Sequence, residues 1–215
     1  MSRLEAISFL LSRHLRNARD LSAYPFWSLR GRPAPDNHVF KKSRIKRIAD
    51  DYSCDTLVET GTFYGQTSAA MHSTFAHVFT CELSTQLFDL NRRSFMHIPN
   101  LHVLQGDSAV LLKEILPQAP GRILFWLDGH YSGPGTAIGD TVSPVLGELN
   151  AIRRHERKDH CILVDDARLF TGSEGYPSME ELRGRLLLVN PNFRIWQDFA
   201  CVVAVPQTRE NNNTR

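Results

Sequence analysis

Along this chain, short apolar runs alternate with longer stretches whose apolar residues recur every three or four positions, from about residue 55 to residue 189. Runs such as T-L-V-E-T, V-F-T-C-E, R-I-L-F-W-L-D and C-I-L-V-D-D are rich in β-branched and aromatic residues, the pattern of strands covered on both faces. They predict strands at about 55–60, 77–82, 101–105, 122–128, 160–165, 193–198 and 200–205. Helical spacing predicts helices at about 66–75, 85–96, 107–116, 143–156 and 178–189. Strands separated by helices require crossover connections, which build a parallel sheet with helices on both faces. The end of the pattern differs: F-R-I-W-Q-D-F and C-V-V-A-V-P lie too close together for a crossover and predict an antiparallel hairpin.

Upstream, Leu4, Ile7, Leu10, Leu11 and Leu15 mark an amphipathic helix over about 3–18, packing on the domain or on a second subunit. The stretch from Tyr24-Pro25-Phe26-Trp27 to Pro33 and Pro35 reads as irregular, and a further helix spans about 39–52. Three parts follow: residues 1–38, a helix and an aromatic, proline-rich segment; residues 39–206, an α/β domain; and 207–215, a polar tail expected to be disordered. With 215 residues, 42% of them hydrophobic, the chain can build one substantial core.

Charge narrows the partners. Twenty-five basic residues against 23 acidic ones give a net charge of +2, without the electrostatic footprint of a nucleic-acid binder. The basic runs Lys41 to Arg47 and Arg153 to Lys158 fall in predicted helices and read as solvated faces. Cys54, Cys81, Cys161 and Cys201 form no C-x-x-C pair, and the N-terminal helix is too charged to span a bilayer and lacks a cleavage site. The expectation is a cytoplasmic protein with buried free thiols and no stable membrane association.

The sharpest motif is V-E-T-G-T-F-Y-G-Q-T-S, Val58 to Ser68. A strand ends in Glu59, turns through Thr60, Gly61, Thr62, Phe63, Tyr64 and Gly65, and enters a helix. The spacing acid-x-G-x-x-x-G matches neither the dinucleotide pattern G-x-G-x-x-G nor a phosphate loop, which needs a lysine after its last glycine. It suits a ligand with a positive or donor end, and it resembles motif I of the class I S-adenosylmethionine (SAM) dependent methyltransferases. The five α/β units closed by a hairpin resemble that family's Rossmann-like sheet as well, over about Asp55 to Pro206. The resemblance implies that Glu59, Gly61, Thr62, Phe63 and Gly65 hold the amino-acid part of SAM. It further implies that Glu82, at the end of the second strand, accepts from the ribose hydroxyls and that Asp107 and Ser108 meet the adenine. Asp107 serves equally well as a helix N-cap, and the two roles are compatible.

Asp128 ends the fourth strand, and Asp165 and Asp166 end the fifth. Three carboxylates on neighbouring strand ends repel one another unless a cation or shared proton relieves them, which suits a hard divalent ion. The set resembles that of metal-dependent O-methyltransferases of the catechol and macrocin-like types. By that resemblance Asp128, Asp165 and Asp166 are ligands of Mg²⁺ or Mn²⁺, and Asp128 also contacts SAM. His130 is the first candidate for the base that deprotonates the acceptor, with Asp128 as the alternative; Tyr131 stands where catechol-type enzymes carry a lysine. The reading is an O-methyltransferase acting on a hydroxyl of a small molecule or sugar. Residues 1–38 cover the acceptor pocket or contact a second copy in a homodimer. The competing readings are a non-catalytic scaffold with the same fold and a nucleotide-dependent oxidoreductase.

Overall fold

The computed structural model describes residues 3–129 and 143–207. Seven strands form one sheet: β1 (Thr56–Thr60), β2 (His77–Glu82), β3 (Leu101–Gln105), β4 (Ile123–Leu127), β5 (Cys161–Val164), β6 (Phe193–Asp198) and β7 (Cys201–Pro206). Their spatial order is β3-β2-β1-β4-β5-β7-β6, and β7 alone runs against the others, between β5 and β6. Each sequence-predicted strand is present within a residue or two of its expected bounds, including the terminal hairpin.

The two faces of the sheet are covered by different helices. Val58, Phe125, Ile162 and Ala204 point to the side of α5 (Ser108–Ile115), α6 (Val145–Arg154) and α7 (Met179–Val189), where Leu112, Leu149, Ile152 and Leu186 are buried against them. Leu57, Leu124, Trp126 and Leu163 point the other way, into a layer with Ile45 and Ile48 of α2 (His38–Tyr52), Met71 of α3 (Gln66–Met71) and Phe95 of α4 (Thr85–Phe95). Successive residues of β1, β4 and β5 therefore serve opposite cores, which is why these strands read as continuous apolar runs. The four cysteines are free and buried within these layers.

Two expectations change. The first helix, α1, runs from Arg3 to Leu29, through Pro25. A proline inside a helix forfeits one backbone hydrogen bond, but the aromatic residues that made the segment look irregular support the extension. Trp27 lies 6.0 Å from Tyr24 and 5.3 Å from Phe40 between ring centroids, and its indole N–H donates to Pro33 O at 2.7 Å. Moreover, α1 docks through Phe9, Arg13 and Asp20, whereas Leu4, Ile7, Leu11 and Leu15 remain exposed. The second change concerns the basic run on α2. Lys46 and Arg47 are solvated as expected, while Lys41 and Arg44 are buried beside Ile45 and Ile48. Each of the two buried cations sits where a carboxylate from elsewhere in the chain receives it, so the helical stripe that looks charged is partly an internal one.

A buried histidine ties the starts of β4 and β5. His160 Nδ1 accepts from the Ile123 N–H at 3.1 Å, its Nε2 faces His155 Nδ1 at 2.9 Å, and burial together with His155 lowers its pKa to about 4. A folded state that resists protonation binds fewer protons than the unfolded chain between about pH 6.5 and 4, so stability must fall as pH drops through that window. The expected loss is of order 2–3 kcal/mol, read as the difference in pH dependence of urea stability between the wild type and His160→Gln. Equal slopes in the two proteins would show that the ring titrates as if in water.

Candidate active site

The sheet order reverses between β1 and β4, and the crevice at the carboxyl ends of such strands is where open α/β folds place ligands. The loop after β1 is shaped by its own backbone. The N–H groups of Gly61 and Thr62 both donate to Cys81 O at 3.0 Å, and Gly65 N donates to Thr62 O at 2.7 Å. Gly61 has φ +81°, and a β-carbon there would stand 2.5 Å from Asp128 O; at Gly65, φ +69°, it would strike the Asn91 side chain and the Phe95 ring. The glycines thus let β1 and β4 approach each other and let α4 close on the loop. Phe63 also takes a left-handed conformation, φ 49°, at the turn's tip.

The acids around this loop are held in different ways. Glu59 is buried, and its carboxyl accepts from Ser68 Oγ and from Thr80 Oγ1 at 2.8 Å. Burial raises its pKa to about 7 against the opposing effect of these hydroxyls, so it braces β1 to β2 and α3 from below the loop. Thr62 Oγ1 joins the same cluster, 2.7 Å from Thr80 Oγ1. Glu82 stands at the crevice: Oε2 accepts from Phe63 N at 2.7 Å and Oε1 from Ser84 N at 2.9 Å. Its carboxylate therefore fixes the Gly loop and keeps further lone pairs for a ligand. Asp107 caps α5, accepting from Ala109 N at 2.7 Å, while Ser108 Oγ donates to Glu148 Oε1 at 2.5 Å. Glu148 is a fully buried member of the site region that sequence reading missed. Its signal was an acid within the apolar α6 stripe of Val145, Leu149 and Ile152.

At the ends of β4 and β5 the three aspartates part company. Lys41, reaching over from α2, donates its ammonium to Asp165 Oδ2 and lies 4.0 Å from Asp128 Oδ2. Burial works against this cation, but Asp128 and Asp165 outweigh it and raise its pKa above the ordinary lysine value. Asp166 takes a left-handed conformation, φ 52°, with Arg168 Nε 3.4 Å from its Oδ1, and its charge adds to those that raise the Lys41 pKa. Among the described residues, no group of three or more His, Cys, Asp or Glu side chains converges to hold a metal ion. The expected ligand set of Asp128, Asp165 and Asp166 therefore does not fit a divalent ion in this arrangement, because the Lys41 ammonium pairs with Asp165 and lies 4.0 Å from Asp128. Asp165 Oδ1 remains buried without a hydrogen-bond donor among the described residues. Such an oxygen calls for a water or a ligand hydroxyl.

His38, the first residue of α2, borders the same spot. Burial, followed by the Lys41 charge, lowers its pKa to about 4, so it is a neutral imidazole at physiological pH. The sequence signal for Lys41 and His38 was faint, since nothing in P-A-P-D-N-H-V-F-K-K announces a partner more than a hundred residues away. His130, Tyr131 and the Gly-rich stretch after them lie outside the described residues, as does the tail from residue 208.

From the other side α1 clamps the loop. Arg13 Nε donates to Tyr64 O at 2.5 Å and its Nη2 to Asn91 Oδ1 at 3.0 Å, while its guanidinium lies 4.4 Å from the Phe95 ring centroid. Arg16 stacks on Tyr64 at 4.2 Å. The crevice is thus framed by the Gly loop, Glu82 and Ser108 on one half, and by Asp128, Asp165, Lys41 and His38 on the other.

No protein-family model and no curated protein sequence matches the chain. Solved structures do. An O-methyltransferase of Bacillus cereus in complex with S-adenosylhomocysteine (SAH) aligns with TM-score 0.60 at 13% identity, over 88% of this chain and 91% of that one. The O-methyltransferase TomG of Streptomyces achromogenes, involved in tomaymycin synthesis and in complex with SAM, aligns with TM-score 0.55 at 11% identity, over 89% and 90%. An SAH-bound methyltransferase of Podospora anserina aligns with TM-score 0.51 at 16% identity, over 78% of each chain. At these identities the likeness is one of fold, and the fold is that of the class I SAM-dependent methyltransferases.

Proposed function

We propose that this chain, which has the class I methyltransferase fold, transfers the methyl group of SAM to a hydroxyl of a small molecule or sugar. The observation that carries the reading is Glu82, an acid that ends β2 in the crevice and is held by the N–H of Phe63 in the Gly loop. A carboxylate so anchored is preorganised to accept from two vicinal ribose hydroxyls, and Asp107 and Ser108 at the start of α5 lie on the adenine side. Gly61, Thr62, Phe63 and Gly65 take the amino-acid end of SAM, with Glu59 bracing them from beneath.

In the transfer, the acceptor oxygen attacks the sulfonium methyl in line. The O–CH₃ bond forms as the S–CH₃ bond breaks, the electron pair of that bond stays on sulfur, and SAH leaves neutral. Asp128, half-buried at the rim, receives the hydroxyl proton, with His130 as the alternative base. No step is assigned to a divalent ion, since Lys41 lies where that ion would have to bind. Residues 1–38 form the acceptor-side cover, a role supported by His38 beside Lys41; the exposed Leu4, Ile7, Leu11 and Leu15 of α1 suit contact with a second copy. No helix among the described residues is long and apolar enough to cross a membrane.

Calorimetry tests the cofactor. SAH and SAM should each bind one to one, and Glu82→Ala should weaken them by roughly a hundredfold, the worth of two hydrogen bonds to a charged acceptor. Heat from NAD with none from SAM would remove the proposal.

A further inference from the structure

We infer that Lys41 is the resident cation of the acceptor site and occupies the space that a divalent metal would otherwise fill between Asp128 and Asp165. The inference rests on the methyltransferase reading for what the site does, but its physical content lies in Lys41, Asp128 and Asp165. Two carboxylates from adjacent parallel strands, β4 and β5, face each other across the sheet edge, Asp165 with its side chain wholly buried. Left alone, such a pair would bind a cation or share a proton. The sequence supplies the cation itself, from α2, more than eighty residues before either acid.

The placement of Lys41 is built rather than incidental. Its side chain is 8% exposed, on the stripe of α2 that also buries Ile45 and Ile48, and the aliphatic stem packs into the core while the ammonium meets the acids. The Trp126 ring lies 5.9 Å from the same nitrogen, closing its apolar side. Asp166, the third carboxylate that a dication would recruit, has Arg168 Nε 3.4 Å from its Oδ1. A lysine in this place does half of what a metal does: it supplies positive charge beside the developing oxyanion and pairs with the buried Asp165. It does not chelate two oxygens, so the site should accept a mono-hydroxyl acceptor without requiring the adjacent pair of oxygens that a chelated metal selects. A water can then donate to Asp165 Oδ1, the buried oxygen that has no donor among the described residues.

Manganese binding followed by electron paramagnetic resonance tests this without any turnover. With equimolar wild-type protein and Mn²⁺, the six-line spectrum of the free ion should persist undiminished. In Lys41→Met, which keeps the stem and removes the charge, Asp128 and Asp165 should capture the ion, with an affinity gain of at least tenfold that Asp165→Asn in the same background abolishes. Mn²⁺ held by the wild type and released in Asp165→Asn would overturn the inference, and so would a folded Lys41→Met that gains no binding. If Lys41→Met does not fold, Lys41→Gln carries the same comparison, and the wild-type spectrum decides by itself whether the lysine yields its place. SAH calorimetry on the wild type separates the two claims: silence there with the manganese results as expected would remove methyl transfer and leave the Lys41 assignment standing.

Discussion

Gly61→Val is expected to lose SAM binding altogether and to destabilise the protein by about 2–6 kcal/mol, the sum of a β-branched residue forced to positive φ and of overpacking. The clash is with the backbone. A β-carbon at Gly61 would stand 2.5 Å from the Asp128 carbonyl oxygen and 3.1 Å from Gly129 Cα, so relief requires β1 and β4 to separate where the crevice opens. The lever is unusual for a cofactor loop. The substitution disturbs the ligand site by moving its walls, and the strand end that moves carries the proposed base. Urea denaturation and SAM calorimetry on the same sample give both quantities. A valine variant as stable as the wild type would mean that the loop yields without the strand.

Arg44→Met is expected to cost about 3–5 kcal/mol, the usual penalty for stranding a buried charge. Arg44 is fully buried, donating to Asp36 Oδ2 at 2.7 Å, to Asp198 Oδ2 at 2.9 Å and to Asp198 O at 2.8 Å, and its loss would leave the buried Asp36 without its cation. Arg47 touches the same Asp198 oxygen at 3.1 Å, but its side chain is 58% exposed, so Arg47→Met should change stability by less than about 1 kcal/mol. The contrast separates burial from ion pairing, since both arginines share one acid. The consequence for function is direct, because Arg44 pins the helix that carries Lys41 and His38 over the crevice. Equal effects of the two substitutions would show that α2 is held by its apolar stripe alone.

The strands, the crossovers and the final hairpin were legible because each depends on residues near one another in sequence: apolar runs, glycine turns and the spacing between them. The ends of β1, β2, β4 and β5 were legible for the same reason, and with them the positions of Glu59, Glu82, Asp128 and Asp165. What could not be read was which charges are internal. Lys41 and Lys46 belong to one basic run, and only the acids waiting beyond β4 and β5 distinguish the buried residue from the solvated one. Glu148 was hidden likewise, an acid in an apolar stripe whose partner, Ser108, lies forty residues earlier. The three aspartates show the same limit: charge repulsion pointed to a cation at the strand ends, but nothing local in sequence announced that Lys41 lies beside Asp128 and Asp165. Helix α1 was cut short because Pro25 carries a strong local signal against helix, which the aromatic contacts of Tyr24, Trp27 and Phe40 override.

The position of β7 bears on how the protein is made. Because this strand fits between β5 and β6, a chain emerging from the ribosome presents the open edge of Cys161–Val164 until residues beyond 200 have been released. That edge is apolar on both sides and has its backbone groups unpaired, the features that invite a second nascent chain to add a strand. The chain should therefore be most exposed to co-translational aggregation in the interval between the emergence of Val164 and that of Pro206, and chaperone demand should peak there.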